Sequence, residues 1–338
     1  MPAPHLLVVG AGSVGKRHLR NLAALGCRVS AVDPRADRLR EAAGATPLAG
    51  AFADLPTALA AGRYEAAVVG TPTRFHVEQS IACLDRGLGV FLEKPVSMDA
   101  ASAERLRDAA AAAGRPVLVG YTYRWWPPLV ELRRRVLAGD VGRVLYVRAA
   151  MAAHLADWHP WEPVADFFMS SAALGGGALL DESHVLDLLH WVVGPPARVI
   201  ASVAKVGPVE MDADDCVDAT LFYGGSGAVA EGARASVHLD LFSRPHERAV
   251  TVVGETGTLH WTFDPNRLRL GRAGGGDWED VTYTCDRNEM FVAAARHFLE
   301  VLAGREAPAC TLDDGVAVMR VVEAIRASSA AGRVVDLP

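Results

Sequence analysis

Two separated stretches of the sequence carry side chains that could stabilise charge and move a proton. The first is Glu93-Lys94-Pro95, which follows the apolar run GVFL and in which Pro95 favours an extended Lys94. An ammonium group that points into a cleft can hold a substrate hydroxyl and stabilise the negative charge that develops there during hydride transfer. The alternative is a solvated surface lysine. The expected end of a strand, where open α/β sheets bind ligands, favours the first interpretation.

The second stretch is LLDESHVLDLLHWVVG, in which Asp181, His184 and Asp187 are spaced at intervals of three. On one helix these side chains would project from neighbouring parts of one face. A carboxylate beside an imidazole orients its tautomer and stabilises its protonated form, so His184 could take a proton from an alcohol near neutral pH. The alternative is that Asp181 caps the helix and His184 makes a structural hydrogen bond.

A glycine-rich turn near the start of the chain has the form of a dinucleotide-binding motif. Gly10, Gly12 and Gly15 form G-x-G-x-x-G between the apolar run LLVVG and a helical pattern that begins with Ser13 and Val14. The first glycine permits a tight turn, the second leaves room for a pyrophosphate, and the third lets helix and strand pack closely. The helix N-terminus would offer its N–H groups to the diphosphate. Three glycines alone would mark only a tight turn.

The residues after the second apolar run bear on which dinucleotide is bound. Asp33 ends that run, where a carboxylate would accept hydrogen bonds from ribose hydroxyls and repel a 2′-phosphate. This arrangement favours NAD. Arg35 and Arg38 follow closely and could hold a phosphate, so NADP is left open.

The elements that would position these residues lie in two parts of the chain with different patterns. From residue 1 to about 121, short apolar runs alternate with helical patterns, which predicts βαβ units and a parallel sheet. After GYTYRWWPP the segments become longer, partly alternating and joined by Gly-rich turns. This pattern predicts a mostly antiparallel sheet with one packed face.

Composition agrees with two globular domains and limits the partners. The chain has 338 residues and a formal net charge of −6, which argues against a nucleic-acid partner. Its five cysteines are scattered without a C-x-x-C pair, so we expect no metal site and a reducing compartment. No apolar run reaches the roughly 18 residues of a membrane span, and no leader pattern precedes the first strand, so we expect a cytoplasmic protein.

Several motifs, in order and spacing, resemble the glucose-fructose oxidoreductase/inositol dehydrogenase/MocA family over essentially the whole chain. They are GAGSVGKRHLRNL, TPTRFHVEQS, EKP, GYTYRWWPPLVELRRRVLAGDVGRV, GGGALLDESHVLDLLHWVVG and VVEAIRASSAAGRVVDL. The resemblance implies an α/β Rossmann domain at 1–121, followed at 122–338 by an α+β domain with a large, mostly antiparallel open sheet for substrate binding and oligomerisation. It also implies that members oxidise or reduce sugars and cyclitols with NAD(P).

The resemblance assigns roles to particular residues. It implies that Lys94 is catalytic and close to the cofactor, that the Lys94-Pro95 peptide is cis, and that His184 is the acid/base group. The loop with Thr71, Pro72 and His76 would lie against the cofactor, as would Glu93. Tyr123 and Arg124 would contact substrate, although an aromatic cluster beside two prolines would equally suit interdomain packing. The segment HLADWHPW, with His154, Trp158, His159 and Trp161, would form a loop over the cleft.

The sequence departs from the family at the catalytic carboxylate. Many members place an Asp four residues before the His, whereas Asp181 precedes His184 by three and Leu180 takes the earlier position. Either the turn into the helix is one residue shorter and Asp181 still serves, or the role has passed to Asp187 or disappeared.

We therefore predict an NAD(P)-dependent oxidoreductase that moves hydride between nicotinamide and a secondary alcohol or ketone of a sugar, cyclitol or sugar derivative. Lys94 would polarise the oxygen, and His184, with Asp181, would exchange the proton. A redox glycosidase with recycled NAD and a dinucleotide-sensing regulator are the alternatives, and the presence of both Lys94 and His184 argues against the regulator. We expect no nucleic-acid or membrane partner. The open sheet must be covered on one face, and the resemblance suggests a homodimer or homotetramer.

Overall fold

The computed structural model describes residues 3–158, 160 and 163–337. Within them the chain forms two compact units. The first unit comprises the chain up to Thr122 together with Arg287–Val316, and the second comprises Tyr123–Asp286 together with the chain from Ala317 onward. Arg287–Val316, which the sequence pattern alone groups with the second domain, thus packs within the first unit.

The strands are short in the first unit and longer in the second. In chain order they are β1 His5–Val9, β2 Arg28–Val32, β3 Gly50–Phe52, β4 Ala66–Val69, β5 Gly89–Leu92, β6 Val117–Val119, β7 Val144–Ala152, β8 Arg198–Ala204, β9 Cys216–Phe222, β10 Val229–Asp240, β11 Glu247–Gly254, β12 Gly257–Thr262, β13 Arg267–Arg272, β14 Glu279–Thr282 and β15 Val335–Asp336.

The α-helices vary from a single turn to five turns. In chain order they are α1 Ser13–Ala24, α2 Ala36–Ala45, α3 Leu55–Ala61, α4 His76–Leu84, α5 Ala100–Ala113, α6 Pro127–Leu137, α7 Leu155–Trp158, α8 Ala178–Asp181, α9 His184–Val193, α10 Asn288–Leu302 and α11 Leu312–Ala331. Among the described residues, no helix combines the length and the apolar character that crossing a bilayer requires.

The first unit is built on a six-stranded parallel sheet. Its order is β3-β2-β1-β4-β5-β6, so the direction of winding reverses between β1 and β4. Runs such as LLVV in β1 and AAVV in β4 are buried on both faces, as the strands of a parallel sheet with helices on both sides must be. All carboxyl ends of the strands lie at one edge, which is where open α/β sheets bind ligands.

Helix α10 belongs to this unit because it packs on α1 and on the sheet. The side-chain amides of Asn21 and Asn288 exchange hydrogen bonds of 3.1 and 2.9 Å. Phe298 lies edge-on to Phe91 of β5, with ring centroids 5.7 Å apart, and both rings are almost fully buried. The sequence places these partners about 200 residues or more apart, which local patterns do not reveal.

The second unit contains a nine-stranded sheet of order β14-β13-β12-β11-β7-β10-β9-β8-β15. Among the strand pairs of the described residues in this sheet, only β7–β10 is parallel, so the predicted mostly antiparallel sheet is confirmed. Alternate residues of β9 and β10, such as Val217 and Val237, are buried, and α6, α8 and α9 pack against sheet strands. The intervening positions, such as Asp218 and Thr220, face away from this core.

Helix α11 protects one edge of this sheet. Beyond the two residues that pair with β15, the backbone N–H groups of Ala201 and Val203 in β8 donate to the hydroxyls of Ser328 and Ser329 at 3.0 and 2.8 Å. Side-chain acceptors therefore replace a further strand and blunt an edge that could pair with another chain.

We predict that Phe298→Ala will destabilise the first unit by about 3–5 kcal/mol, because it leaves a cavity against Phe91. Hydrogen exchange of peptides from β5 and β6 should become faster. Phe75→Ala is the matched control, since Phe75 is 40% exposed and its removal should change stability by no more than about 0.5 kcal/mol. Unchanged exchange in the Phe298 variant would show that α10 does not stabilise the sheet.

Candidate active site

The three glycines of the opening motif each meet a different steric requirement. Gly10 has φ of +94°, and a Cβ there would lie 2.7 Å from the carbonyl oxygen of Gly70. A Cβ on Gly15 would lie 1.7 Å from the carbonyl oxygen of Gly10, so α1 can approach β1 only because the side chain is absent. At Gly12 the nearest atom would be Nη1 of Arg38 at 3.8 Å, which leaves open space for a ligand. These are the constraints of a pyrophosphate-binding turn.

The start of α1 can receive an anion. The helix begins at Ser13, followed by Val14, and its N-cap Gly12 supplies no side-chain hydrogen bond to the first turn. The first N–H groups and the helix dipole therefore favour a diphosphate at this end.

Asp33 lies at the end of β2 directly beside this turn. Its buried carboxylate accepts hydrogen bonds from the backbone N–H groups of Ala11 at 2.8 Å and Arg35 at 2.9 Å. Each oxygen keeps a further lone pair that can accept from a ribose hydroxyl. The Arg35 guanidinium pairs with Asp37 at the surface at 2.6 Å, and Arg38 is the arginine that approaches Gly12.

The loops after β4 and β5 are joined by His76. Its Nδ1 lies 2.7 Å from the carbonyl oxygen of Pro95, and its Nε2 lies 2.8 Å from that of Thr71. Pro72 continues the loop after Thr71. The Lys94-Pro95 peptide is cis, as the sequence resemblance implied. His76 is fully buried, so it fixes the two loops to each other at the ligand-binding edge of the sheet.

Lys94 follows Glu93 at this edge, and Glu93 makes a buried hydrogen bond with His18. Glu93 Oε1 lies 2.6 Å from His18 Nε2, and both side chains are buried. Burial alone would raise the pKa of Glu93. The hydrogen bond from His18, with the charges of His18, Lys94 and His76, instead holds the pKa of Glu93 below its ordinary value. The carboxylate ties the strand that leads to Lys94 to the helix that begins at the glycine turn.

Sequence reasoning missed the role of His18, although a signal was present. The face of α1 that packs on the sheet contains Gly15, His18, Leu19 and Leu22 at i, i+3, i+4 and i+7. A histidine at such a position must find a polar partner in the interior. The sequence does not show that this partner is Glu93, 75 residues away.

The second unit holds His184 at the start of α9. The expected single helix through Asp181 and His184 is instead two helices, because α8 ends at Asp181 and α9 begins at His184. Between them, the N–H of Val185 donates to the carbonyl of Glu182 at 2.9 Å, an i→i+3 turn that is tighter than an α-helix. Asp181 and His184 therefore do not share one helix face. The structure places them on either side of a turn.

Tyr123 packs directly on the candidate acid/base. Its ring centroid lies 4.8 Å from that of His184, with the ring planes tilted by 39°. The Tyr123 side chain is almost fully buried and its hydroxyl lies 3.9 Å from Met151 Sδ. The contact restricts the rotation of the imidazole.

Arg124 and Asp187 form a buried ion pair. The guanidinium donates to both carboxylate oxygens, at 3.1 and 2.6 Å, and their side chains are only 4% and 1% exposed. Asp187 lies one turn after His184, so the pair anchors α9 to the segment that contains Tyr123. Asp187, which is one of the alternatives for the family's catalytic carboxylate, is therefore already paired with Arg124. His159 and Trp161 of the segment HLADWHPW lie outside the described residues.

The parallel sheet and glycine turn define the first unit as an NAD-binding Rossmann domain, here followed by a second unit with a large open sheet. Residues 5–121 match the family model for oxidoreductases with an NAD-binding Rossmann fold, and residues 129–260 match the GFO/IDH/MocA C-terminal domain. The chain belongs to the GFO/IDH/MocA oxidoreductase family.

Individual relatives agree with this assignment. The chain is 33% identical over 209 residues to an inositol 2-dehydrogenase of Leifsonia xyli subsp. xyli, covering 61% of this chain and 57% of that protein. It is 30% identical over 236 residues to the rhizopine catabolism protein MocA of Rhizobium meliloti, covering 67% and 70%. The chain therefore spans just over half the length of the inositol 2-dehydrogenases that it matches. The solved oxidoreductase domain protein from Kribbella flavida shares the fold over 100% of both chains, with a TM-score of 0.87 at 23% identity.

We predict that His18→Phe will reverse the pH dependence that Glu93 contributes to the free energy of unfolding. In the native protein the lowered pKa of Glu93 stabilises the fold above pH 4.5, and this contribution is lost as the pH falls through the folded pKa. Without His18, burial dominates and the pKa rises, so the variant should lose stability as the pH increases above about 4.5. At pH 7 we expect a loss of about 3–5 kcal/mol.

The measurement is urea denaturation followed by circular dichroism between about pH 4.5 and 8. Lys16→Gln is the control, because Lys16 lies on the same helix as His18 and its partly exposed pair with Glu41 of α2 should contribute at most about 1 kcal/mol. Parallel pH profiles for the native protein and His18→Phe would contradict the role assigned to His18.

We predict strong coupling between Arg124 and Asp187 in a double-mutant cycle. Arg124→Met and Asp187→Leu should each cost about 3–5 kcal/mol, because each leaves a buried charge without its partner. The double variant should recover most of this loss, since both charges are then removed. Additive losses would show that the two side chains do not interact.

Proposed function

We propose that the protein is an NAD-dependent dehydrogenase or reductase that acts on a secondary alcohol or ketone of a sugar, cyclitol or sugar derivative. The observation that carries this proposal is the position of Lys94. It follows β5 at the same edge of the parallel sheet as Gly10 and Asp33, and His76 and Glu93 hold its backbone. A lysine on the solvated surface would not need such an anchored loop.

In the oxidation direction, the bound cofactor accepts a hydride from the carbon that carries the hydroxyl. Lys94 donates a hydrogen bond to the hydroxyl oxygen and stabilises the negative charge that grows there. His184 takes the hydroxyl proton at one ring nitrogen and returns it in the reverse reaction, while Tyr123 holds the ring in plane. Asp181 is the carboxylate we propose for orienting the imidazole, since Asp187 is paired with Arg124.

Substrate class, assembly and compartment are parts of the same proposal. Relatives named inositol 2-dehydrogenase support a polyhydroxylated ring as substrate. One face of the large sheet bears Ile200, which is 39% exposed, together with Thr220 and Ser236. This face is suited to pack against a second copy of the chain in a homodimer or homotetramer. All five cysteines are free thiols, which supports the reducing cytoplasm.

We predict that Lys94→Ala and His184→Asn will each lower kcat by about 100- to 10,000-fold on a sugar or cyclitol substrate, while NAD⁺ still binds. The assay is a panel of sugars and cyclitols followed at the nicotinamide absorbance. It is preceded by anaerobic titration with NAD⁺ and NADP⁺. We expect NAD⁺ to bind more tightly, because a 2′-phosphate would face Asp33.

Lys205→Ala is the matched control, since Lys205 pairs with Asp215 in the second unit and should be dispensable for turnover. Full activity in the Lys94 or His184 variant would refute the assigned role. Tight cofactor binding without net redox change for any member of the panel would favour the redox glycosidase, and a glycosidase screen would then follow.

A further inference from the structure

Arg248 lies on the packed side of the large sheet, where a charged residue is unexpected. On β11 it alternates with the buried Val250 and Val252, and it pairs across the ladder with Met151, which is 1% exposed. Its side chain thus points toward the same core that Tyr123 and His184 border. A charge at such a position requires a compensating interaction or a ligand.

The guanidinium of Arg248 is held by aromatic rings. Its central carbon lies 5.4 Å from the ring centroid of Trp158 and 5.1 Å from that of Phe263. Phe263 in turn stacks on Trp126, with centroids 5.7 Å apart. Cation–π contacts favour a particular position of the group but supply no oxygen acceptor for its N–H donors.

Part of the hydrogen-bonding capacity of Arg248 is unused among the described residues. Its Nε is buried and has no hydrogen-bond partner there. Within the same part of the chain, no carboxylate forms an ion pair with any nitrogen of this side chain. Arg124, by contrast, uses its guanidinium on both oxygens of Asp187.

The surroundings keep Arg248 charged and place it near the candidate chemistry. Burial alone would lower the pKa of Arg248, but Tyr123, Glu182 and Asp181 act on it electrostatically and raise the pKa above its ordinary value. Tyr123 packs on His184, and Asp181 and Glu182 precede that histidine by three and two residues in the chain. The unused donors therefore belong to the neighbourhood of the proposed acid/base.

We propose that Arg248 binds an anionic group of the substrate, a carboxylate or a phosphate, so that the protein acts on an acidic derivative of a sugar or cyclitol. The planar fork of a guanidinium matches two oxygens of either group, and the flanking rings already fix its orientation. The inference rests on the proposed oxidoreductase function, because it names a substrate for the site that contains His184. A purely structural Arg248, neutralising Asp181 and Glu182 at a distance, is the rival.

The test compares three matched substrates with the NAD-loaded protein: a neutral sugar, the corresponding uronic or aldonic acid, and the corresponding sugar phosphate. We expect the native protein to have a higher kcat/KM for one of the two anionic substrates than for the neutral sugar. Arg248→Gln should lower kcat/KM for that substrate by roughly 10- to 100-fold and leave the neutral sugar unchanged. Arg248→Lys should retain part of the preference. The preferred substrate identifies the anionic group.

Stability separates ligand binding from a structural role. If the donors of Arg248 await a ligand, Arg248→Met should melt at the same temperature as the native protein or higher, because an unsatisfied buried group is removed. A structural counter-charge predicts a lower melting temperature and equal losses on neutral and anionic substrates. Arg267→Gln is the control, because Arg267 lies on the same sheet but pairs with Asp280.

Calorimetric titration of the NAD-loaded protein with the acid and the phosphate provides a readout that does not need turnover. Binding that disappears in Arg248→Gln, without turnover of any substrate, would refute the oxidoreductase proposal and leave the anion subsite standing. Turnover of neutral sugars, with no binding of either anion, would overturn the subsite and leave the oxidoreductase proposal standing.

Discussion

The contact between α1 and β1 at Gly15 is the constraint on which the first unit depends. A single Cβ there would lie 1.7 Å from the Gly10 carbonyl oxygen and would push the helix away from the sheet. The same helix carries His18, which holds Glu93, the residue before Lys94. A displacement of α1 would therefore disturb both the diphosphate-binding turn and the lysine. The close backbone approach thus couples cofactor binding to the proposed catalytic group through one rigid element.

The second unit positions its candidate acid/base by a different interaction. His184 begins a helix whose first turn is fixed by the buried Arg124–Asp187 pair, and Tyr123 covers the imidazole. A buried ion pair contributes little net stability, because desolvation of both charges offsets their attraction. Its geometry is nevertheless specific, since both oxygens and two guanidinium nitrogens must meet. The Arg124–Asp187 pair therefore orients α9 and adds little net stability.

The features that the sequence predicted are those encoded by local patterns. Strand–glycine–helix spacing predicted the turn at Gly10, and period-two alternation predicted the antiparallel sheet. The break between Asp181 and His184 was not predicted, because three-residue spacing fits one continuous helix as well as two helices joined by a turn. The partners of His18 and Arg124 lie 75 and 63 residues away. Such contacts depend on tertiary packing, for which one sequence contains no local signal.

The buried polar groups of the two units differ in how far the protein itself supplies their partners. In the first unit, His76 lies between two backbone carbonyls, and Asp33 accepts from two backbone N–H groups. In the second, Arg124 is paired with a carboxylate. Each of these groups has at least one partner within the protein, so it can shape the local structure before a ligand binds. Arg248 differs from these groups because aromatic rings contact its guanidinium while its Nε has no acceptor among the described residues. Folding alone does not favour such an arrangement, since an apolar residue would pack there at lower cost. Binding of an anion would satisfy the donors, and this makes substrate recognition the stronger physical explanation for the charge.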